Sequence, residues 1–86
     1  MHTVVFEKQA KEFLDSIPGG VKSNVIRRIR ALAANPYAKN NNVKRLKGRE
    51  GYRLRVGNIR VIYDIASDVL MIYVLRIGFR KDIYQE

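Results

Sequence analysis

YRLRVGNIRVIYDI, residues 52–65, is the stretch that decides the fold. Tyr52 to Val56 alternates apolar and basic residues. Ile59 to Ile65 is rich in β-branched residues, and Gly57-Asn58 between the two runs is a two-residue turn signal. A turn of that length sets the register. Val56 then pairs with Ile59, Arg55 faces Arg60, Leu54 faces Val61 and Arg53 faces Ile62. Tyr52, Leu54, Val56, Ile59, Val61 and Tyr63 share the core face, while Arg53, Arg55 and Arg60 share the opposite one.

Working outward, Ala66-Ser67-Asp68 reads as a second turn, and Val69 to Ile77 as a central strand, apolar on both faces and covered on both sides. Gly78 breaks it, and Phe79 to Glu86 reads as one helical turn. Upstream, His2 to Phe6 reads as a short strand. Phe6, Ala10, Phe13, Leu14 and Ile17 then recur at helical spacing, and Ser16-Ile17-Pro18-Gly19-Gly20 ends that helix. A second helix carries Val21, Val25, Ile26, Ile29, Leu32 and Ala33 on one stripe, with Lys22, Arg27, Arg28 and Arg30 on its solvated side. Asn35-Pro36 stops it, because proline disfavours helix in the residue before it. Tyr37 to Asn42 is a polar loop. The expectation is an α+β domain spanning residues 1–86: an N-terminal strand, a two-helix hairpin, then an antiparallel meander with a short C-terminal turn or helix, the helices on one sheet face.

At 86 residues there is room for one core. With 17 Lys+Arg against 8 Asp+Glu, the net charge of +9 costs self-repulsion and points to a polyanionic partner. There is no cysteine, and the one histidine, His2, stands at the N-terminus. Thiolate metal sites and Cys-His or Ser-His catalysis are excluded, and no cofactor or metal is expected. The longest apolar run, Val69 to Leu75, is far too short to span a membrane as a helix, and the first residues lack a signal peptide's pattern. A soluble, cytoplasmic chain is expected.

The arginines carry the functional signal. Like charges directly opposed on a sheet are destabilising, and a sequence shaped only for stability would not place Arg55 across from Arg60. An anion between them turns the penalty into a binding site, and arginine suits bidentate phosphate contact. The plain alternative is a face whose arginines fan out into water. Against it stands the density of charge: from Lys44 to Arg60 there are seven basic residues (Lys44, Arg45, Lys47, Arg49, Arg53, Arg55, Arg60) and one acid, Glu50. At the tail, Arg80 and Tyr84 are spaced to share one side of a helical turn. Tyr52, Tyr63 and Tyr73 read as core residues.

The blocks LKG (46–48), YRLRVG (52–57), IRVIY (59–63) and VLRIGFRKDIY (74–84), in this order and at this length, resemble the RelE branch of the RelE/ParE toxin superfamily of type II toxin–antitoxin pairs. The resemblance covers essentially the whole chain. It implies a RelE-like microbial RNase-type fold and a ribosome-dependent mRNA endoribonuclease. Such an enzyme cuts in the A site by metal-independent attack of the RNA 2′-OH on the adjacent phosphate. Carried over by position, it implies catalytic Arg53, Arg55, Arg60, Arg80 and Tyr84, with Lys44, Arg45, Lys47, Arg49 and Lys81 binding RNA and ribosome. The implied partners are the ribosome with its mRNA and rRNA, and a cognate antitoxin whose acidic or amphipathic segment wraps the toxin. Operator DNA is reached only through the antitoxin, and no membrane is involved. Arg53 and Arg55 stand where the best-known RelE pattern has lysines, and Phe79 where many relatives have His or Lys. Arginine is a far poorer general base than lysine and phenylalanine transfers no proton, so these departures bear on proton transfer rather than on phosphate binding. Two alternatives stay open: a non-catalytic gyrase inhibitor of the ParE branch, and an inactive paralogue that binds nucleic acid.

Overall fold

The structure, a computed structural model, describes residues 2–66 and 71–83. In chain order the elements are β1 (Thr3–Phe6), α1 (Lys8–Ser16), α2 (Gly19–Ala34), β2 (Val43–Arg45), β3 (Tyr52–Val56), β4 (Ile59–Ala66), β5 (Met71–Phe79) and α3 (Arg80–Ile83). The strands form one five-stranded sheet in the order β1-β5-β4-β3-β2. β2 to β5 are antiparallel neighbours, as the meander requires, whereas β1 joins the far side parallel to β5. The α+β fold is thus the expected one, on a mixed sheet.

The hairpin register is the one the turn dictates: Val56↔Ile59, Arg55↔Arg60, Leu54↔Val61 and Arg53↔Ile62. Gly57 takes φ +61, a left-handed conformation that a glycine adopts without strain. One face of the sheet meets both helices. Leu54, Val56, Ile59, Val61, Tyr63, Ile72, Val74 and Ile77 pack there with Ala10 and Leu14 of α1 and Val25, Ile29, Leu32 and Ala33 of α2. Each fully buried aliphatic chain of this kind contributes about 1.5–3 kcal/mol.

Several expectations are corrected. Gly19 and Gly20 do not lie between the helices but form the first turn of α2, with Pro18 at its N-cap. Val21, expected on the buried stripe, is exposed. β2 adds an edge strand paired with β3, beyond the strands expected. β5 runs through Gly78 to Phe79. It is covered by helices on one face only, because both helices pack on the same side of the sheet. Its register slips opposite Ile62/Tyr63: Ile62 pairs with Arg76 and Tyr63 with Val74, leaving Leu75 without a partner. This β-bulge reverses the alternation along the strand. Before it, Ile72 and Val74 face the core; after it, Ile77 does. Tyr73, read as core, pairs with Asp64 and lies half-buried on the other face. At the N-terminus the His2 backbone N–H donates to the Ala33 carbonyl at 3.0 Å, and its ring stands edge-on to Tyr37. The expected turn at Ser67 and Asp68, the strand start at Val69 and Leu70, and Tyr84 lie outside the described residues. No described helix is long and apolar enough to cross a membrane.

One side chain couples the helices to the far end of β5. β1 ends at Phe6, and the Gln9 amide of α1 continues its ladder. Gln9 Nε2 donates to the Ile77 carbonyl, and the Ile77 N–H donates to Gln9 Oε1, each at 2.8 Å. The next turn of chain leads into α3.

Candidate functional site

The sheet face turned away from the helices carries the arginines. Arg53 and Arg55 come from β3, Arg60 from β4, and Arg80 from the first residue of α3. Together they line a cavity of about 300 Å³. A second cavity of about 170 Å³ adjoins it, lined by Asn41, Asn42, Lys44, Arg53, Arg55 and Arg60. Among the described residues no acidic side chain lines either one.

The hairpin turn organises the centre. Arg60 Nη1 donates to the Gly57 carbonyl at 2.9 Å and to its neighbour Ile59 at 3.2 Å. The Arg80 backbone N–H donates to the Asn58 carbonyl at 2.7 Å, which ties the start of α3 to the same turn. Arg60 is 8% exposed and is the one buried charged residue among those described. Burial first, then the charges of Arg53, Arg80 and Arg55, lower the pKa of its guanidinium from the ordinary value. A cation so placed is held at a cost that a bound anion reverses. Gly78 stands across from Arg60 in the register and adds no side chain to the floor.

The outer wall is built by the loop before β2. Asn40 Oδ1 accepts from the Asn42 N–H at 2.9 Å, an Asx turn, and the Asn40 carbonyl accepts from Val43 at 3.1 Å. The Asn42 carbonyl then accepts from the Arg55 backbone N–H at 2.8 Å, and Asn42 Oδ1 from Arg55 Nη2 at 3.2 Å. Asn42 therefore holds both the strand edge and the guanidinium. The same face also carries a small apolar cluster of Leu46, Ile62 and Leu75. Leu46 reaches it because the 46–51 loop closes through a Leu46 N–H to Gly51 carbonyl bond of 3.0 Å.

Of the residues expected at the site, the structure brings together Arg53, Arg55, Arg60 and Arg80, with Lys44 beside them. It does not bring Arg45: this residue pairs with Tyr52 on the core side, and its guanidinium lies 5.7 Å from the Tyr52 ring centroid. Lys47 and Arg49 are exposed on the loop beyond Leu46. Lys81 lines a separate groove of about 630 Å³ with Asn58, Phe79 and Arg80. Phe79 packs edge-on against Phe13 of α1, with ring centroids 5.3 Å apart, on the core side. Sequence reasoning missed Asn42. The Asn-rich run was visible as a loop, but its position beside Arg55 follows from the β2–β3 pairing. Among the described residues no cluster of metal-ligating side chains exists. What the site can do chemically is bind and polarise a phosphodiester through charge-assisted hydrogen bonds.

A cluster of basic side chains on one face of this sheet, with a two-helix layer on the other, has clear relatives. A chain of the archaeal RelE–RelB complex from Pyrococcus horikoshii is 26% identical, with a TM-score of 0.79 over 92% of this chain and 94% of that one. The RelB–RelE complex of Methanococcus jannaschii contains a chain 27% identical, TM-score 0.72, over 93% and 94%. A chain of the RelBE2 complex of Mycobacterium tuberculosis is 25% identical, TM-score 0.76, over 92% and 98%. No curated protein matches in sequence. The fold and these likenesses define a type II toxin of the RelE/ParE superfamily. The sequence profile described as "ParE toxin of type II toxin-antitoxin system, parDE" matches residues 4–84, and the chain belongs to that family.

Proposed function

We propose that this toxin is a ribosome-dependent mRNA endoribonuclease that inhibits translation. The observation that carries the reading is the Arg53–Arg55–Arg60–Arg80 cavity, whose like charges converge with no acid among its lining residues. RNA supplies its own nucleophile. The 2′-O–H oxygen bonds to the adjacent phosphorus, its proton leaves, and the bond from phosphorus to the 5′-oxygen breaks as that oxygen gains a proton. The arginines hold the phosphate and stabilise the added charge on its oxygens. Tyr84, four residues after Arg80, is the group assigned to proton transfer. The cognate antitoxin, a cytoplasmic partner by this reading, covers the basic face with an acidic segment. The ParE description of the family favours a second reading, gyrase inhibition without catalysis.

Primer extension on mRNA in programmed ribosomes tests this, with ribosome-free reactions as control. Cleavage in the A-site codon that needs the ribosome, and that falls in Arg80→Ala and Tyr84→Phe, is the expected result. Growth arrest with no cleavage, and inhibited supercoiling in its place, overturns the first reading in favour of the second.

A further inference from the structure

The bulge in β5 has a consequence for one residue that strict alternation sends to the core. Counted by twos from Ile72 and Val74, Arg76 belongs on the helix side. The unpaired Leu75 shifts the count, and Arg76 pairs with Ile62, which in turn pairs with Arg53. Direct cross-strand partners share a face, so Arg76 stands exposed on the arginine face. Lys44, Arg53, Ile62 and Arg76 form one row across four strands. The row of Arg55, Arg60 and Gly78 lies beside it, two residues along each strand. That step is about 7 Å. Ile62, which belongs to the apolar cluster with Leu46 and Leu75, stands between Arg53 and Arg76 in that row.

We infer that Arg76 forms a second phosphate subsite, which holds the phosphodiester adjacent to the one in the arginine cavity. The inference rests on the nucleic-acid reading of that cavity. Arg76 stands about 7 Å along the strands and about 5 Å across them from Arg60, a separation of about 8 Å that suits long side chains holding consecutive phosphates of one strand. β-Bulges recur beside active sites, where they re-aim a side chain, and this one moves a charge out of an apolar layer onto the basic face. Arg76 touches the neighbouring phosphate rather than the reacting atoms, so it is a positioning residue.

The test uses non-cleavable 2′-deoxy dinucleotide and trinucleotide probes, which carry one and two phosphodiesters, read by fluorescence anisotropy against salt. Wild-type protein is expected to bind the trinucleotide about tenfold more tightly than the dinucleotide. Arg76→Gln is expected to abolish that gain, leave dinucleotide binding unchanged, and lower the salt slope by about 0.7, one single-strand phosphate contact. Arg76→Lys retains the slope. Arg27→Gln, on the outer face of α2, removes the same charge and is expected to change neither quantity. An undiminished gain in Arg76→Gln overturns the inference, as does an equal loss in Arg27→Gln. Dependence on Arg76 for an acidic peptide but not for the trinucleotide reassigns the residue to a protein partner and also overturns it. Loss of dinucleotide binding in Arg60→Gln alone keeps the cavity reading while Arg76 fails. Indifference of the dinucleotide to Arg60→Gln removes both.

Discussion

Replacing Arg55 by Gln should make the free protein more stable and worse at holding phosphate. Arg55 and Arg60 are direct cross-strand partners, and such pairs place their Cβ atoms about 5 Å apart. Two unit charges about 6 Å apart in water repel by about 0.7 kcal/mol at low salt. At physiological ionic strength, with a Debye length of about 8 Å, roughly half of that survives. Arg55 is exposed, so the aqueous value is the right one despite the burial of Arg60. The bond lost to Asn42, 3.2 Å and at the surface, offsets little of the gain. The expected rise in melting temperature is about 3–5 °C at about 20 mM salt, shrinking towards zero at about 500 mM. Pyrophosphate at ten times its Kd should raise wild-type stability by about 1.4 kcal/mol and the variant's by clearly less. Calorimetry across a salt series reads all of this. A variant less stable than wild type at low salt, or a gain that salt does not erode, refutes the idea that the arginines are held against their own repulsion.

Tyr63→Phe should stabilise by about 1 kcal/mol, since the Tyr63 hydroxyl is buried without a hydrogen-bond partner. Burial, then Tyr52, pushes that hydroxyl's pKa up, while an unfolded tyrosine titrates near pH 10. The folded state therefore holds its proton longer, and stability present below about pH 10 is lost as the pH rises above it. Chemical denaturation of the Phe variant should show a weaker alkaline decline. Gly51→Ala should cost about 1–3 kcal/mol, because Gly51 has φ +118 and a Cβ would lie 3.1 Å from the Tyr63 carbonyl and 3.2 Å from Leu46 Cδ1; urea denaturation measures it. Gln9→Ala leaves the Ile77 N–H and carbonyl without their partners, and should cost about 2 kcal/mol in the same assay.

The hairpin was legible because a two-residue turn leaves a single pairing for every residue that follows, and Arg53, Arg55 and Arg60 inherit their common face from it. Arg80 was legible only as a spacing and a resemblance. What brings it to the cavity is a main-chain bond to Asn58, to which any residue at position 80 other than proline contributes equally. The bulge at Leu75 was not legible, since Val69 to Ile77 is apolar at almost every position and alternation carries no signal there. Tyr73 was misplaced for that reason. Arg45 lies away from the cavity arginines, because its pairing with Tyr52 puts it on the core side of the sheet.

The side-chain bridge from Gln9 to Ile77 gives the toxin an unusual exchange behaviour. The Ile77 amide is protected by a helix rather than by a neighbouring strand, so its hydrogen exchange reports the opening of α1 instead of the opening of the sheet. Fraying of α1 and loosening of the strand end that leads into Arg80 are then one local event. Arg80, three residues further on, is held instead by its main-chain bond to Asn58, so the exchange of the Ile77 and Arg80 amides reads α1 and the hairpin turn separately.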